Sequence, residues 1–214
     1  GTASATDYEI IVVCDGSSDG TPAEAERLKA IYPALRMLRH AENRGYGAAA
    51  WSGMKAARKD FVFFTDADGQ FDINELSKLV GALGDSSGVL GHRMNRRDAR
   101  GRGMLGSIYT AMIRLILQVR CQDMNCAFKI FRRSAVAEVS LRSTGALFNA
   151  ELLARLQARG HIFKEVGVHH YGRQHGRQSG ARPDVIFRAI CELPYVWWNL
   201  FRHEWRLGNN SPHR

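Results

Sequence analysis

The chain reads as apolar blocks separated by short polar turns. Residues 9–14 (EIIVVC) are a β-branched apolar run, which predicts a buried strand. An Asp-Gly-Ser-Ser-Asp-Gly turn follows. Thr21 then caps a helix with Pro22 at its first position, and Pro33 stops that helix after about residue 32. Residues 35–40 predict a second strand, 43–47 a glycine turn, and 48–58 a helix of small residues. Residues 61–65 (FVFFT) predict a third buried strand. Asp72 and Glu75 have the spacing of a capping box for a helix through Leu83, and a short strand begins at Val89 and Leu90. Strands alternating with helices predict a parallel α/β sheet covered on both faces.

Beyond Gly91 the pattern loosens. Residues 93–102 form an arginine-rich loop, and 104–119 are mostly apolar, interrupted by Ser107, Arg114 and Gln118. A helix over 148–159, a strand over 162–168 and a Gly/Arg/His-rich loop over 171–181 follow. Residues 185–206 predict an aromatic, amphipathic helix broken at Pro194. No repeat or low-complexity linker interrupts the chain. The expectation is one domain over 1–214, with one half over 8–91, a second over 92–182 and a C-terminal amphipathic helix over 184–206.

Composition narrows the class. With 214 residues, 45% apolar and 24% charged, the chain can bury a full core and is not disordered. No apolar run reaches the roughly 18 residues a spanning helix needs. Residues 1–8 are small and polar, unlike a secretory leader. The four cysteines form no CxxC pair, which argues against a zinc ribbon or disulfide scaffold and fits a reducing compartment. The net charge of +9 is unevenly spread: residues 1–91 carry 9 basic and 13 acidic side chains, residues 92–133 carry 10 and 2. The basic half predicts an anionic partner: phosphates, a membrane surface or nucleic acid. Without an RNA-binding aromatic signature or a helix-turn-helix cue, nucleic acid is the weakest of these.

Ligands of open α/β sheets sit at the carboxyl ends of the strands. Two acidic turns fall there, Asp15–Asp19 and Asp66-x-Asp68, near the Asn43-x-Gly45-x-Gly47 turn. Such carboxylates either cap the next helix or hold a hard divalent cation that offsets the charge of a diphosphate.

The motifs YEIIVVCDGSSDGT (8–21), NRGYGAAAWSGMKAA (43–57), FTDADGQFD (64–72), GHR (91–93), DMNCAFKIFRR (123–133), FNAELL (148–153) and EVGVHHYGRQHGRQSG (165–180) occur in this order. The chain resembles family 2 glycosyltransferases of the GT-A fold, and within them the polyprenyl- or dolichyl-phosphate glycosyltransferases. The resemblance covers residues 8–188. It implies a mostly parallel sheet with helices on both faces, plus amphipathic C-terminal helices. It also implies metal-dependent, inverting transfer of a sugar from a GDP- or UDP-sugar to a polyprenyl phosphate, with Mg²⁺ or Mn²⁺ as cofactor. By resemblance, Asp15, Gly16, Ser17, Asp19, Asn43, Gly45, Gly47 and Asp66 surround the nucleotide sugar. Asp66, Asp68 and Gln70 match the metal site. Arg93, Arg102, Arg173, Arg177 and Ser179 match the acceptor-phosphate cations and the basic loop that closes over the phosphates. Asp123, with Arg93, matches the reacting centre, as a base or as an orienting partner of the arginine. The expected location is the cytoplasmic face of a membrane, bound peripherally.

The bottom-up reading agrees. A phosphate acceptor is already ionised near neutral pH and needs cations to align it more than a general base. As a helix, 104–119 would reach about 24 Å, short of the roughly 30 Å hydrocarbon core, and would lie in the interface. Tyr195, Trp197, Trp198, Phe201 and Trp205, with Arg202 and Arg206, form a second interfacial candidate; the plainer alternative for both segments is ordinary core. Three features depart from the family. A first strand and helix with a PxxNE-like motif are expected before residue 8, and without that strand the sheet would carry exposed edges. Cys14 stands where the family often has Asp, and Gly167 where it has Pro. A soluble or polysaccharide acceptor, or an inactive truncated member, are the alternatives.

Overall fold

The computed structural model describes residues 7–94, 104–172 and 183–208. In chain order the elements are β1 (Ile10–Asp15), α1 (Thr21–Ile31), β2 (Leu35–His40), α2 (Tyr46–Ala56), β3 (Phe61–Thr65), a 3₁₀ turn (Ile73–Glu75), α3 (Leu76–Ala82), β4 (Gly88–Arg93), α4 (Met104–Ile116), β5 (Phe128–Arg132), α5 (Arg133–Ala137), α6 (Phe148–Ala158), β6 (Phe163–Val168) and α7 (Pro183–Gly208).

The strands form two ladders. β1 and β2 pair in parallel, and a four-stranded sheet runs β3-β5-β4-β6. β5 is antiparallel to both neighbours while β4 and β6 are parallel, so β3, β4 and β6 share one direction and β5 alone opposes them. The strand content over the first 90 residues was legible in the apolar runs. β5 was not: FKIFR carries a lysine and two aromatics in a motif read for chemistry. Among the described residues no ladder joins β1 to β3, although α2 packs against both. Ile10 of β1 and Phe61 of β3 stay 44% and 41% exposed, unlike residues at the middle of a closed sheet.

Helices cover both faces of the larger sheet. Along β5 the pleat sends Phe128 and Ile130 toward Leu79 and Leu83 at α3, and Phe131 toward the opposite cluster with Phe148, Leu152 and Leu156 of α6. Met54 of α2, Ile113 of α4 and Leu193 of α7 join that second cluster. Each such fully buried side chain contributes about 1.5–3 kcal/mol relative to exposure.

Several local expectations are corrected. Thr21 is not the cap of α1; Asp19 Oδ1 accepts the Thr21 N–H at 3.0 Å instead. α2 starts at Tyr46, two residues earlier than its small-residue run implied, because Gly45 ends the turn at φ 98°. The capping box fails: Asp72 Oδ1 accepts from Asn74 N–H at 3.0 Å, one residue short of a box, and the segment turns 3₁₀. α7 is unbroken at Pro194. The carbonyl that proline frees belongs to Ile190, on the exposed face, where water can satisfy it.

Two buried glutamates tie loops to this frame. Glu151 of α6 is 0% exposed and accepts the N–H groups of Arg142 and Ser143 while pairing with Arg155 at 2.8 Å. Glu75 takes the turn that its failed capping role leaves open. It accepts the His169 N–H at 2.8 Å, with the His169 ring and Lys78 Nζ each 2.6 Å away, so it fastens the end of β6 to α3. Burial pushes the Glu75 carboxyl up, but the hydrogen bonds from Lys78 and His169 outweigh it and hold it down at about 2.

Glu151→Ala removes the buried carboxylate that pairs with Arg155 and leaves two loop amides without this acceptor, and a loss of about 3–5 kcal/mol in urea unfolding is expected. For Glu75 the folded carboxyl is held below its ordinary value of 4.5, so its contribution is complete above that value and is lost as pH falls toward about 2. Urea midpoints measured across that window should fall with acid in the parent protein, and less steeply in Glu75→Gln.

Candidate active site

The cleft is built at the carboxyl ends of β1, β3 and β4. After β1, Gly16 takes φ 68° and its Cα lies hard against the Asn43 backbone, so only glycine fits. This brings the two nucleotide-motif turns together. Asp15 accepts the Arg44 N–H at 2.9 Å on Oδ1 and the Gly45 N–H at 2.8 Å on Oδ2, and His40 Nδ1 lies 2.6 Å from Oδ1. His40 Nε2 in turn meets Ser52 Oγ at 3.0 Å. Burial raises the Asp15 pKa, but these donors outweigh it and hold the carboxyl below its usual range. The sequence reading gave Asp15 to the nucleotide. In the structure its first task is to clamp the 43–47 turn. Asp19 is exposed and turned to the start of α1 rather than into the cleft. Ser17 and Asn43 remain at its rim, with Asn43 Oδ1 also accepting from Gly45 N–H at 3.1 Å.

The 43–47 turn is held from the other side by the loop before α6. Thr144 O accepts the N–H groups of Gly47 at 2.8 Å and Ala48 at 3.2 Å. At Gly45 and Gly47 a Cβ would collide with that loop, at 2.7 Å from Thr144 O and 2.8 Å from Phe148 Cβ respectively.

The segment after β3 carries Asp66, Asp68 and Gln70. Asp66 Oδ1 accepts from the Tyr46 hydroxyl at 3.1 Å, and Asp68 Oδ1 accepts the Gln70 N–H at 3.1 Å. Gln70 is 7% exposed; its Nε2 donates to Tyr171 O at 3.1 Å, and its carbonyl accepts the Tyr171 N–H at 2.8 Å. That commitment of the amide nitrogen turns the amide oxygen the other way. Two carboxylates and an amide oxygen are a hard, all-oxygen donor set, which fits Mg²⁺ or Mn²⁺. Among the described residues no three His, Cys, Asp or Glu side chains gather to hold a metal alone, so oxygens of a substrate or water would complete the coordination. The same Tyr171 contact, with the bridge between Phe71 and His170, holds residues 170–171 beside the Asp66–Gln70 segment.

At the end of β4, Arg93 donates from Nε and Nη2 to Asp123 at 2.6 and 2.9 Å, with both side chains under 10% exposed. A bidentate fork between buried partners is rigid. It favours the second of the two roles open to Asp123, orienting Arg93, over general base. Arg102, Arg173, Arg177 and Ser179 lie outside the described residues.

Sequence reasoning missed His40, Tyr46, Thr144, Glu151 and Lys129. All sit inside or beside the quoted motifs, but their roles depend on contacts across the sheet that no local pattern encodes. A cavity of about 500 Å³ opens elsewhere, between α4, α6, α7 and the start of β6, near Arg120, His161 and Trp197. None of the expected site residues lines it. The carboxylates at the strand ends, and not this cavity, carry the candidate site.

The comparisons with known proteins agree with this geometry. The chain is 32% identical over 201 residues to glycosyltransferase AglD of Haloferax volcanii, covering 90% of this chain and 32% of that one. It is 30% identical over 206 residues to dodecaprenyl-phosphate galacturonate synthase of Rhizobium johnstonii, covering 94% and 60%. The chain thus spans a third to three fifths of these relatives. Glucosyl-3-phosphoglycerate synthase of Mycobacterium tuberculosis, solved with Mn²⁺, UDP and glucosyl-3-phosphoglycerate, superposes with a TM-score of 0.60 at 20% identity, covering 88% of this chain and 68% of that one. That likeness identifies the fold as GT-A. The model of the family described as glycosyl transferase family 2 matches residues 3–140, well over half the chain, and the chain belongs to that family.

Proposed function

We propose that this chain transfers a sugar from a nucleotide-sugar donor to the phosphate of a polyprenyl phosphate, with inversion at the anomeric carbon. The observation that carries the reading is the pairing of an oxygen-rich segment after β3 with a buried, oriented arginine after β4 at the same edge of one sheet. The name of the Rhizobium relative, a dodecaprenyl-phosphate synthase, supports the acceptor class. The Mn²⁺ and UDP in the mycobacterial neighbour support the cofactor and donor class.

In this reading the turns at 15–17 and 43–47 receive the nucleotide. Asp66, Asp68 and Gln70 hold the divalent cation, which when bound neutralises charge on the diphosphate leaving group. Arg93, held still by Asp123, aligns the acceptor phosphate, with Arg102, Arg173, Arg177 and Ser179 proposed to assist. An oxygen of the ionised phosphate attacks the anomeric carbon. The bond from that carbon to the diphosphate breaks, and the nucleoside diphosphate leaves with the electron pair. No proton need be removed, so no general base is required.

The lipid acceptor is supported by the outer faces of two helices. No described helix is long and apolar enough to cross a membrane. α7 buries Ala189, Leu193 and Val196 against the core, yet exposes Phe187 (67%), Ile190, Tyr195 and Trp198 (53%). On α4, Ile108 and Leu115 are seven residues apart on one exposed face. Of the two alternatives, core or interface, α7 has one face for each. We propose peripheral docking on a membrane surface, at its cytoplasmic face, through these outer faces.

Labelled GDP- and UDP-sugars, offered with polyprenyl phosphate in detergent, should give organic-phase label with Mn²⁺ and none with EDTA. Asp68→Asn should abolish the label without unfolding the protein; transfer retained in that variant would remove the metal assignment. The protein should float with anionic vesicles, and a Phe187→Ser/Trp198→Ser variant should not. A parent protein that stays out of the vesicles favours a soluble acceptor.

A further inference from the structure

β5 carries a lysine into the interior of the sheet. Lys129 stands opposite Phe64 in β3 and Leu90 in β4, and it is 0% exposed. Burying a charge costs a great deal of desolvation unless its donors are used. A methionine would fill much the same space without that cost, so packing alone does not require lysine. The ammonium nitrogen donates to Asn149 Oδ1 on α6, at 3.2 Å, and to the backbone carbonyl of Cys126. The second contact reaches back three residues along the chain, to the turn that enters β5. The cleft chemistry described so far does not use this lysine.

That turn carries Asp123. The Cys126 N–H donates to the Asp123 carbonyl at 3.2 Å, which closes the turn over residues 123–126. Cys126 is thus held on both sides, its N–H by Asp123 and its carbonyl by the Lys129 ammonium. On the other side of Asp123, the Gln122 N–H donates to Glu165 Oε2 on β6 at 2.7 Å. Asp123 therefore sits between two fixed points, one on β6 and one in the core. Its carboxylate accepts from Arg93 Nε at 2.6 Å and Nη2 at 2.9 Å. Cys126 and Lys129 are 0% exposed, and both side chains of the fork are under 10% exposed. Water is poorly placed to replace a lost donor along this path.

We propose that Lys129 is a positioning residue for Arg93: its ammonium fixes the 123–126 turn, and the turn fixes the Asp123 carboxylate that orients the guanidinium. The proposal rests on the reading of Arg93 as the cation that aligns the acceptor phosphate. A free arginine side chain samples many rotamers, and a fork anchored on a fixed turn selects one. Misplacing an aligning group by a small distance can cost about 100-fold in rate although no contact with substrate is deleted. Lys129→Met keeps the apolar stem and removes the ammonium. The Cys126 carbonyl then lacks this donor, and the turn is free to shift.

The test reads Arg93 directly by heteronuclear NMR. The Nε–H of a buried guanidinium fork is shielded from exchange with water, and the Arg93 signal is assigned by its absence in Arg93→Gln. Lys129→Met should lose or shift that signal, while the backbone amides of the sheet and the unfolding midpoint stay close to the parent. Glu151→Ala, weakened at the 142–143 loop, should keep it. In the transfer assay Lys129→Met should raise the KM for polyprenyl phosphate and leave the KM for the sugar nucleotide unchanged, a split that a general loss of stability does not produce. An Arg93 signal that is unchanged in Lys129→Met overturns the proposal, and so does one lost equally in Glu151→Ala. Lys129→Gln is measured beside it; if neither neutral variant folds, the lysine serves stability alone and the proposal is overturned. The Nε–H signal is read without substrate, so the two readings fail separately. Polyprenyl phosphate used equally well by Arg93→Gln overturns the acceptor role of Arg93, while the spectrum still decides whether Lys129 positions it.

Discussion

Two backbone N–H groups at the start of α2 share one carbonyl, that of Thr144, and the cleft depends on this seam. Gly47 and Ala48 donate to it at 2.8 and 3.2 Å. The first amides of a helix have no partner within the helix, so this outside acceptor satisfies donors that burial would otherwise leave costly. It can approach because Gly45 and Gly47 carry no Cβ where the 144–145 loop passes. Glu151 holds the loop in place through the amides of Arg142 and Ser143. The position of α2 then decides the rest. Its N-terminal turn is clamped by Asp15, and its first side chain, Tyr46, meets Asp66. A nucleotide turn, a candidate cation ligand and a buried acid on α6 are thus one mechanical unit, joined where two distant stretches of chain meet.

Charge is managed in pairs across this unit. Asp15 is balanced by amide dipoles and the His40 ring, Asp123 by the Arg93 fork, and Glu75 by Lys78 and His169. At Asp15 and Glu75 this keeps the carboxylate ionised where burial would favour protonation. They differ in purpose. Glu75 and Glu151 are sealed by several donors, and they hold loops. Asp66 and Asp68 lie only partly buried at the cleft, as groups do that must exchange water for a ligand. The sum suits a ligand that brings both a cation and several phosphates, and suits a single phosphodiester backbone less well.

Much of the fold could be read from the sequence where a run carried one message. EIIVVC and FVFFT are apolar throughout and became β1 and β3. The glycines at 45 and 47 signalled a turn; the close approach they permit is to a loop about a hundred residues away that spacing cannot name. Where one residue could serve two ends, local rules failed. Glu75 has the right spacing for a capping box, but a histidine amide and ring from the end of β6 compete for its oxygens and win. FKIFR has strand propensity, yet its lysine belongs in the interior only once Asn149 and the Cys126 carbonyl are brought to it by tertiary folding. At the candidate site, the motif residues within the described parts of the chain lie at the carboxyl ends of the strands, as their order along the chain implied. Their orientations were not legible, because Asp15 turning inward and Arg93 turning to Asp123 depend on neighbours from other strands.

The same distinction explains why α7 resisted a single reading. The segment reads as amphipathic, but an apolar stripe can serve a core or an interface, and a proline in its middle suggests a break. The structure separates the two sides. Ala189, Leu193 and Val196 are buried where α7 packs on α6, whereas Phe187, Ile190, Tyr195 and Trp198 face outward, with Arg202 stacked 5.3 Å over the Trp198 ring. An outer face of bulky aromatics with an arginine at its end is poorly suited to water and well suited to the boundary between headgroups and acyl chains, where rings and guanidinium groups are both at home. A lipid-phosphate acceptor presents its reactive group at that same boundary. Under the proposed function, α7 would bring the carboxylates at the strand ends to that boundary.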